Sequence, residues 1–205
     1  MLTLYSMPSS GNSYKVRLLM AKLGIDFKHI AAEYGSGVTT SEAFRAKNPN
    51  GKVPLLELED GRLLSESNAI LLYLGENTKF VPQDRFARAK VHEWMFFEQN
   101  YHEGTVAVRA AVLTYRHRAA SKTLENLKNL LEGGNRAMGV MEVQLGKTKF
   151  LTGNEITVAD LCLYAYTHTA GSRGGYDMSI FPNINQWLNR VSADQGHVPI
   201  EWHTA

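Results

Sequence analysis

A change of hydrophobic periodicity near Thr78 constrains the fold of this 205-residue chain more than any other feature. Before it, apolar runs of strand length alternate with runs spaced for helices; beyond it the helical spacing continues alone. Leu2–Ser6 reads as a strand ended by Met7-Pro8, and a Ser/Gly/Asn cluster then leads into Lys15–Leu23. There Val16, Leu19, Met20 and Leu23 recur at helical spacing, with Gly24 as C-cap. Asp26–Ile30 is the next strand, followed by a Gly- and Thr-rich stretch and a short polar helix around Ser41–Ala46. Strand, helix and strand in that order favour a parallel pair. Pro54–Glu59 and Arg62–Ser65 flank Asp60-Gly61, a two-residue type I′ hairpin signal, and Glu66–Gly75 follows as a helix. From Arg85 helices are expected over Arg85 to about Arg118, Thr123–Leu145, Thr157–Tyr166 and Ile184–Val191. The predicted class is α/β plus all-α.

Composition removes several partners. Lys and Arg number 22 against 20 Asp and Glu, a net charge of +2, and no basic stripe interrupts the pattern. Nucleic-acid and membrane-surface binding both need clustered cations, so neither is expected. One cysteine cannot form an internal disulfide, which points to a reducing compartment. No apolar run approaches membrane-spanning length and no secretory leader is read at the N-terminus, so a cytoplasmic location is expected.

Three segments could carry chemistry. In Pro8-Ser9-Ser10-Gly11-Asn12-Ser13, hydroxyl and amide groups gather where a helix start exposes N–H groups and the positive dipole end. A thiolate, carboxylate or phosphate would be stabilised there, although Asn12 or Ser13 could equally serve as a helix cap. In Asn48-Pro49-Asn50-Gly51-Lys52-Val53-Pro54-Leu55-Leu56, Pro54 opens a strand and its peptide bond could be cis. That leaves the Val53 backbone able to pair with an extended ligand; an edge-strand proline without a ligand is the alternative. In Glu66-Ser67-Asn68-Ala69-Ile70-Leu71, Ser67 can meet a carboxylate and Glu66 an ammonium, unless Ser65 or Ser67 is only a cap.

Jointly, N-P-x-G-x-V-P-x-L followed by E-S-x-A-I, behind a Ser-bearing strand–helix loop and ahead of an all-helical half, resembles the cytosolic glutathione S-transferase family, in its bacterial-type, serine- or asparagine-dependent branch. The resemblance implies a thioredoxin-like glutathione-binding domain over residues 1–78, a linker over 79–84 and a helical domain over 85–205, commonly in a homodimer. It further implies glutathione as co-substrate, with Val53 bonding its cysteinyl backbone beside cis Pro54. Glu66 and Ser67 would hold the γ-glutamyl end, and Lys52 would reach the glycyl carboxylate. Ser10 falls where many members place the hydroxyl that bonds the glutathione sulfur, and Asn12 where one bacterial group uses an asparagine; Ser9 is one step away and leaves the register open. The implied activity is attack of the glutathione thiolate on a hydrophobic electrophilic small molecule. The alternatives are glutathione-dependent reduction of a disulfide or peroxide, and a glutathione-binding protein without turnover.

Departures narrow the resemblance. Redox relatives of this fold carry Cys-x-x-Cys where this chain reads Ser10-Gly11-Asn12-Ser13, so the reactive sulfur would be that of glutathione. Tyrosine-dependent members place the tyrosine at the end of the first strand, where Ser6 stands, and Tyr5 is expected to point elsewhere. Cys162, in an apolar helix, reads as a buried inert thiol, and Thr157-Val158-Ala159-Asp160 as a capping box that makes Asp160 a folding residue. Trp94, Phe96, Phe97 and Tyr101 read as core or interface, and no metal is assigned because the seven His lack ligand spacing. Arg109, Tyr115 and Arg116 are weaker candidates for the electrophile pocket.

Overall fold

The computed structural model describes residues 1–203 and divides them into two units. The first begins with β1 (Leu2–Ser6), α1 (Gly11–Leu23), β2 (Phe27–Ala31) and α2 (Glu42–Lys47). It continues with β3 (Leu55–Glu57), β4 (Leu63–Ser65) and α3 (Ser67–Gly75). The sheet order is β2-β1-β3-β4, with β1 parallel to β2 and antiparallel to β3. The parallel β1–β2 pair is the one that the strand–helix–strand spacing predicts.

Every residue of α1 from Ser13 to Met20 is buried, including Lys15 and Arg17. Leu4, Val16, Met20, Phe27, Leu56 and Ile70 form the core beside it, and Trp202 packs against them. Gly24 ends α1 in the left-handed conformation at φ 64°, where a Cβ would be strained.

The β3–β4 connection differs from the predicted hairpin. Gly61 has φ 82°, but Asp60 is not among the positive-φ residues, so the type I′ turn, which needs both, is absent. Instead Leu58 N–H donates to Arg62 O at 2.8 Å across a three-residue loop. The Asp60 carboxylate accepts the Arg62 N–H at 3.0 Å and favours this wider turn.

The second unit, Lys79–Ala193, is helical: α4 (Arg85–Phe97), α5 (Val108–Thr114), α6 (Leu124–Leu145), α7 (Val158–Thr167), α8 (Ala170–Gly174) and α9 (Pro182–Ala193). Between α4 and α5 the chain widens into a π-helical segment, Glu98–Ala107. Over ten residues apolar spacing does not distinguish this from the continuous α-helix expected there. Buried Glu98 accepts from Cys162 Sγ at 3.4 Å, and buried His102 lies 2.9 Å from Thr167 Oγ1.

Asp160 is wholly buried on α7 and completes the capping box, accepting from Thr157 N–H at 2.9 Å. Gly134 lets Tyr176 lie against α6, its hydroxyl donating to Leu130 O at 2.9 Å.

The largest difference from the sequence reading concerns the C-terminus. Residues 194–203, expected to belong to the helical domain, group with the thioredoxin-like unit. Lys22, Tyr14 and Arg17 of α1 all bond this stretch, contacts that no local pattern encodes.

Candidate functional site

Ser10 is the N-cap of α1, with extended backbone at φ −84° and ψ 129°, and its Oγ accepts the Ser13 N–H at 3.4 Å. The Ser10 N–H closes a turn onto Met7 O at 3.0 Å. Since Oγ is used only as an acceptor among the described residues, its proton is available to an incoming anion. Ser9 is directed differently: its Oγ donates to Glu33 Oε1 at 2.8 Å on the exposed side. Tyr5 likewise faces another way, its hydroxyl donating to Glu57 Oε2 at 3.0 Å.

Asn12 is engaged across the unit. Its Oδ1 accepts from Ser67 Oγ at 3.2 Å, joining the start of α1 to the start of α3. A second tie lies beside it, where buried Lys15 Nζ donates to Asn68 Oδ1 at 3.3 Å. The Ser67 hydroxyl, read from sequence as a ligand for a carboxylate, is thus given to Asn12. What α3 presents is its N-terminal backbone, because the N-cap Glu66 makes no side-chain cap bond.

Glu66 itself has φ 70° and ψ 113°, costly for a residue with a Cβ and of order 1 kcal/mol or more. Its exposed carboxylate bonds no side chain among the described residues. Strain retained at an exposed, unclaimed carboxylate marks a site better than it marks a fold.

The Val53-Pro54 peptide bond is cis, as the position of proline at the strand start suggested. Asn48 shapes the loop before it, donating from Nδ2 to Lys52 O at 2.8 Å and accepting Asn50 N–H at 3.3 Å. The backbone of Val53 bonds nothing among the described residues, and Lys52 is exposed. Gly51, at φ 64°, turns the chain, and a Cβ there would sit 3.3 Å from Thr39 O.

The structure therefore presents, within one unit, a free serine proton at a helix start, an unpaired Val53 backbone, a second helix start and an unclaimed carboxylate. This set suits a small peptide-like zwitterion carrying an anionic centre.

Beneath the Ser10 loop lies a polar network that sequence reasoning missed. Arg17 Nη1 donates to Ser6 Oγ at 2.9 Å, and Ser6 Oγ lies 2.7 Å from His29 Nε2. Burial first, then the neighbouring His203 and Arg17, pulls His29 down to about 4, so its ring is neutral at pH 7. The available signal was the pair of cations, Lys15 and Arg17, inside the apolar run of α1.

Arg109 and Cys162 are structural. The first donates to Gly174 O at 2.7 Å and Leu127 O at 2.6 Å, and the second is fully buried. Among the described residues no group of three or more His, Cys, Asp or Glu could hold a metal ion.

A thioredoxin-like unit with a cis-proline loop, followed by a helical unit, defines the class of protein to which this chain belongs. The chain matches the model of the glutathione S-transferase N-terminal domain over residues 4–80 and that of the glutathione S-transferase C-terminal domain over residues 105–194. It belongs to the glutathione S-transferase family. Its structure is similar to that of a glutathione S-transferase from Pseudomonas fluorescens Pf-5. The two share 42% identity and a TM-score of 0.92 over 97% of this chain and 98% of the other. It is 30% identical to glutathione S-transferase-like protein LUC7 of a Fusarium species, over 92% of this chain and 87% of that protein. It is also 25% identical to the disulfide-bond oxidoreductase YfcG of Escherichia coli, over 93% and 90% respectively.

Proposed function

We propose that this protein is a glutathione transferase in which Ser10 stabilises the glutathione thiolate for attack on a hydrophobic electrophile. The observation that carries this reading is the Ser10 hydroxyl, which receives the Ser13 N–H and keeps its own proton free at the start of α1. A thiol has a pKa near 8.5, so only a few per cent is thiolate at neutral pH. One hydroxyl donor and a helix start together lower that by about two units, enough to ionise most of the bound thiol. Asn12 supports the site by holding Ser67 in place. Val53 would pair with the cysteinyl backbone of glutathione through its open N–H and C=O, Glu66 and the α3 start would take the γ-glutamyl ammonium and carboxylate, and Lys52 the glycyl carboxylate.

A second reading is reduction of a small disulfide, favoured by the relative named as a disulfide-bond oxidoreductase. There the same thiolate attacks a disulfide sulfur, one thiol leaves, and a second glutathione completes the exchange, giving two substrate thiols and glutathione disulfide. Cys162 could not supply a thiol to either reaction, being fully buried.

The working form we infer is a homodimer in the cytoplasm. Phe96, Tyr101, Val140 and Val143 of the helical unit expose 66%, 62%, 50% and 63% of their surfaces, and Phe97, Tyr101, Ala137 and Val140 line a cavity of about 460 Å³. A second copy would cover such a face. Retention on immobilised glutathione tests binding. Turnover with a chlorodinitrobenzene-type electrophile and with a small disulfide then separates the two readings, and binding without either turnover would leave a glutathione-binding protein.

A further inference from the structure

Arg17 has an unusual set of partners for a fully buried cation. Nη1 donates to Ser6 Oγ at 2.9 Å and Met7 O at 3.3 Å, while Nη2 donates to Pro8 O at 2.8 Å and Ile200 O at 2.5 Å. Among the described residues no carboxylate bonds it, and its Nε is unpartnered. Burial pulls the guanidinium down to about 10, so it stays charged at neutral pH. A buried charge held by neutral acceptors is expensive to keep, and no other donor in the inventory reaches four acceptors from one planar head.

Two of those acceptors lead straight to the candidate site. Met7 O accepts from Arg17 and also from the Ser10 N–H at 3.0 Å, and Pro8 is two residues from Ser10. The fourth acceptor belongs to the C-terminal stretch, which follows α1 back from its end. Lys22 Nζ pairs with Asp194 Oδ2 at 2.7 Å, and Tyr14 Oη donates to Val198 O at 2.7 Å. Trp202 then meets Phe27 edge-on at 6.1 Å, and His203 stacks on His29 at 4.6 Å. Gly196, at φ 76°, lets the stretch press on Lys22, where a Cβ would come within 2.8 Å of the backbone.

We propose that Arg17 is a positioning residue through which the C-terminal stretch holds the Ser10 loop, so that release of the stretch at Ile200 unseats Ser10. The chain of contacts is continuous: Ile200 O to the guanidinium, the guanidinium to Met7 O, and Met7 O to the Ser10 N–H. The proposal rests on the role given to Ser10 above, and its first test needs no glutathione.

Hydrogen exchange is followed by mass spectrometry on the full chain and on Tyr14→Phe, which removes the hydroxyl that meets Val198 O and His197 Nε2 of the C-terminal stretch and none of the bonds from Arg17. Loss of these contacts should raise exchange in residues 194–203 by about fivefold or more, and residues 7–13 should rise with it. A rise in the C-terminal stretch with residues 7–13 unchanged would overturn the coupling. Arg17→Lys keeps the charge and loses the fork. It should raise the pKa of the bound glutathione thiol, read from thiolate absorbance near 240 nm, by about one unit. It should also lower kcat about tenfold with the glutathione KM within about twofold. Lower stability with an unchanged thiol pKa and kcat would make Arg17 merely structural. Should Arg17→Lys not fold, the exchange result alone decides. Should the parent protein retain no glutathione, the transferase reading fails while the exchange result still decides the coupling.

Discussion

Replacing Asp160 by alanine should destabilise this protein without touching its chemistry, and the size of the loss can be worked from four contacts. Asp160 Oδ1 accepts from Leu151 N–H at 2.9 Å and Trp187 Nε1–H at 3.0 Å; Oδ2 accepts from Thr157 N–H at 2.9 Å and the Thr157 hydroxyl at 3.2 Å. The side chain is wholly buried, and burial pushes its pKa up against the pull of those four donors. Alanine strands two backbone N–H groups and an indole N–H, each costing about 1–3 kcal/mol, while the hydroxyl can turn elsewhere. Removal of the buried charge relieves part of that, and the net loss should be about 3–5 kcal/mol. Against a total stability of about 5–15 kcal/mol, that is a large fraction. For a chain of this length it lowers Tm by roughly 10 °C. Asn is no rescue, because its NH2 must face one of the two donor pairs; more than half the loss should persist. Urea unfolding followed by circular dichroism measures it, with the m-value held constant. A loss below about 1 kcal/mol, or a loss of turnover at unchanged stability, would refute the assignment of Asp160 to folding.

Ser10→Ala should lower kcat by one to two orders of magnitude while glutathione KM changes little, and should cost about 1 kcal/mol as a lost cap; equal losses in kcat and affinity would argue against its role. His29 titrates near 6.5 when unfolded and near 4 in the fold, so protons bind the unfolded chain first. Stability should therefore fall as pH drops from about 6.5 toward 4, by about 1–2 kcal/mol once solvent screening of the partly exposed ring is allowed for. Denaturant melts across that range should lose this slope in His29→Gln. Gly134→Ala would place a Cβ 2.1 Å from Tyr176 Oη and should cost about 1–3 kcal/mol. Gly139→Ala on the same helix meets nothing within 4 Å and should stabilise by about 0.5–1 kcal/mol in the same thermal melts.

What the sequence determined by itself was whatever depends on neighbours within a few residues. Helical spacing and Gly24 placed α1, Pro54 marked where a cis bond could fall, and Thr157 with Asp160 placed the capping box, because caps, turns and amphipathic faces are short-range effects. The turn at Asp60-Gly61 was readable only as a turn, since Asp60 tolerates either conformation and its bond to Arg62 selects one. Tertiary structure decided the rest. It directed Ser9 to Glu33 and left the Ser10 proton free, and it gave the Ser67 hydroxyl to Asn12. It also brought residues 194–203 back along α1 to Arg17. Such contacts join residues far apart in the chain and have no period to read. What drives them is the need of a buried cation for acceptors and of Trp202 for a core to enter, and both are satisfied only once the chain has closed on itself.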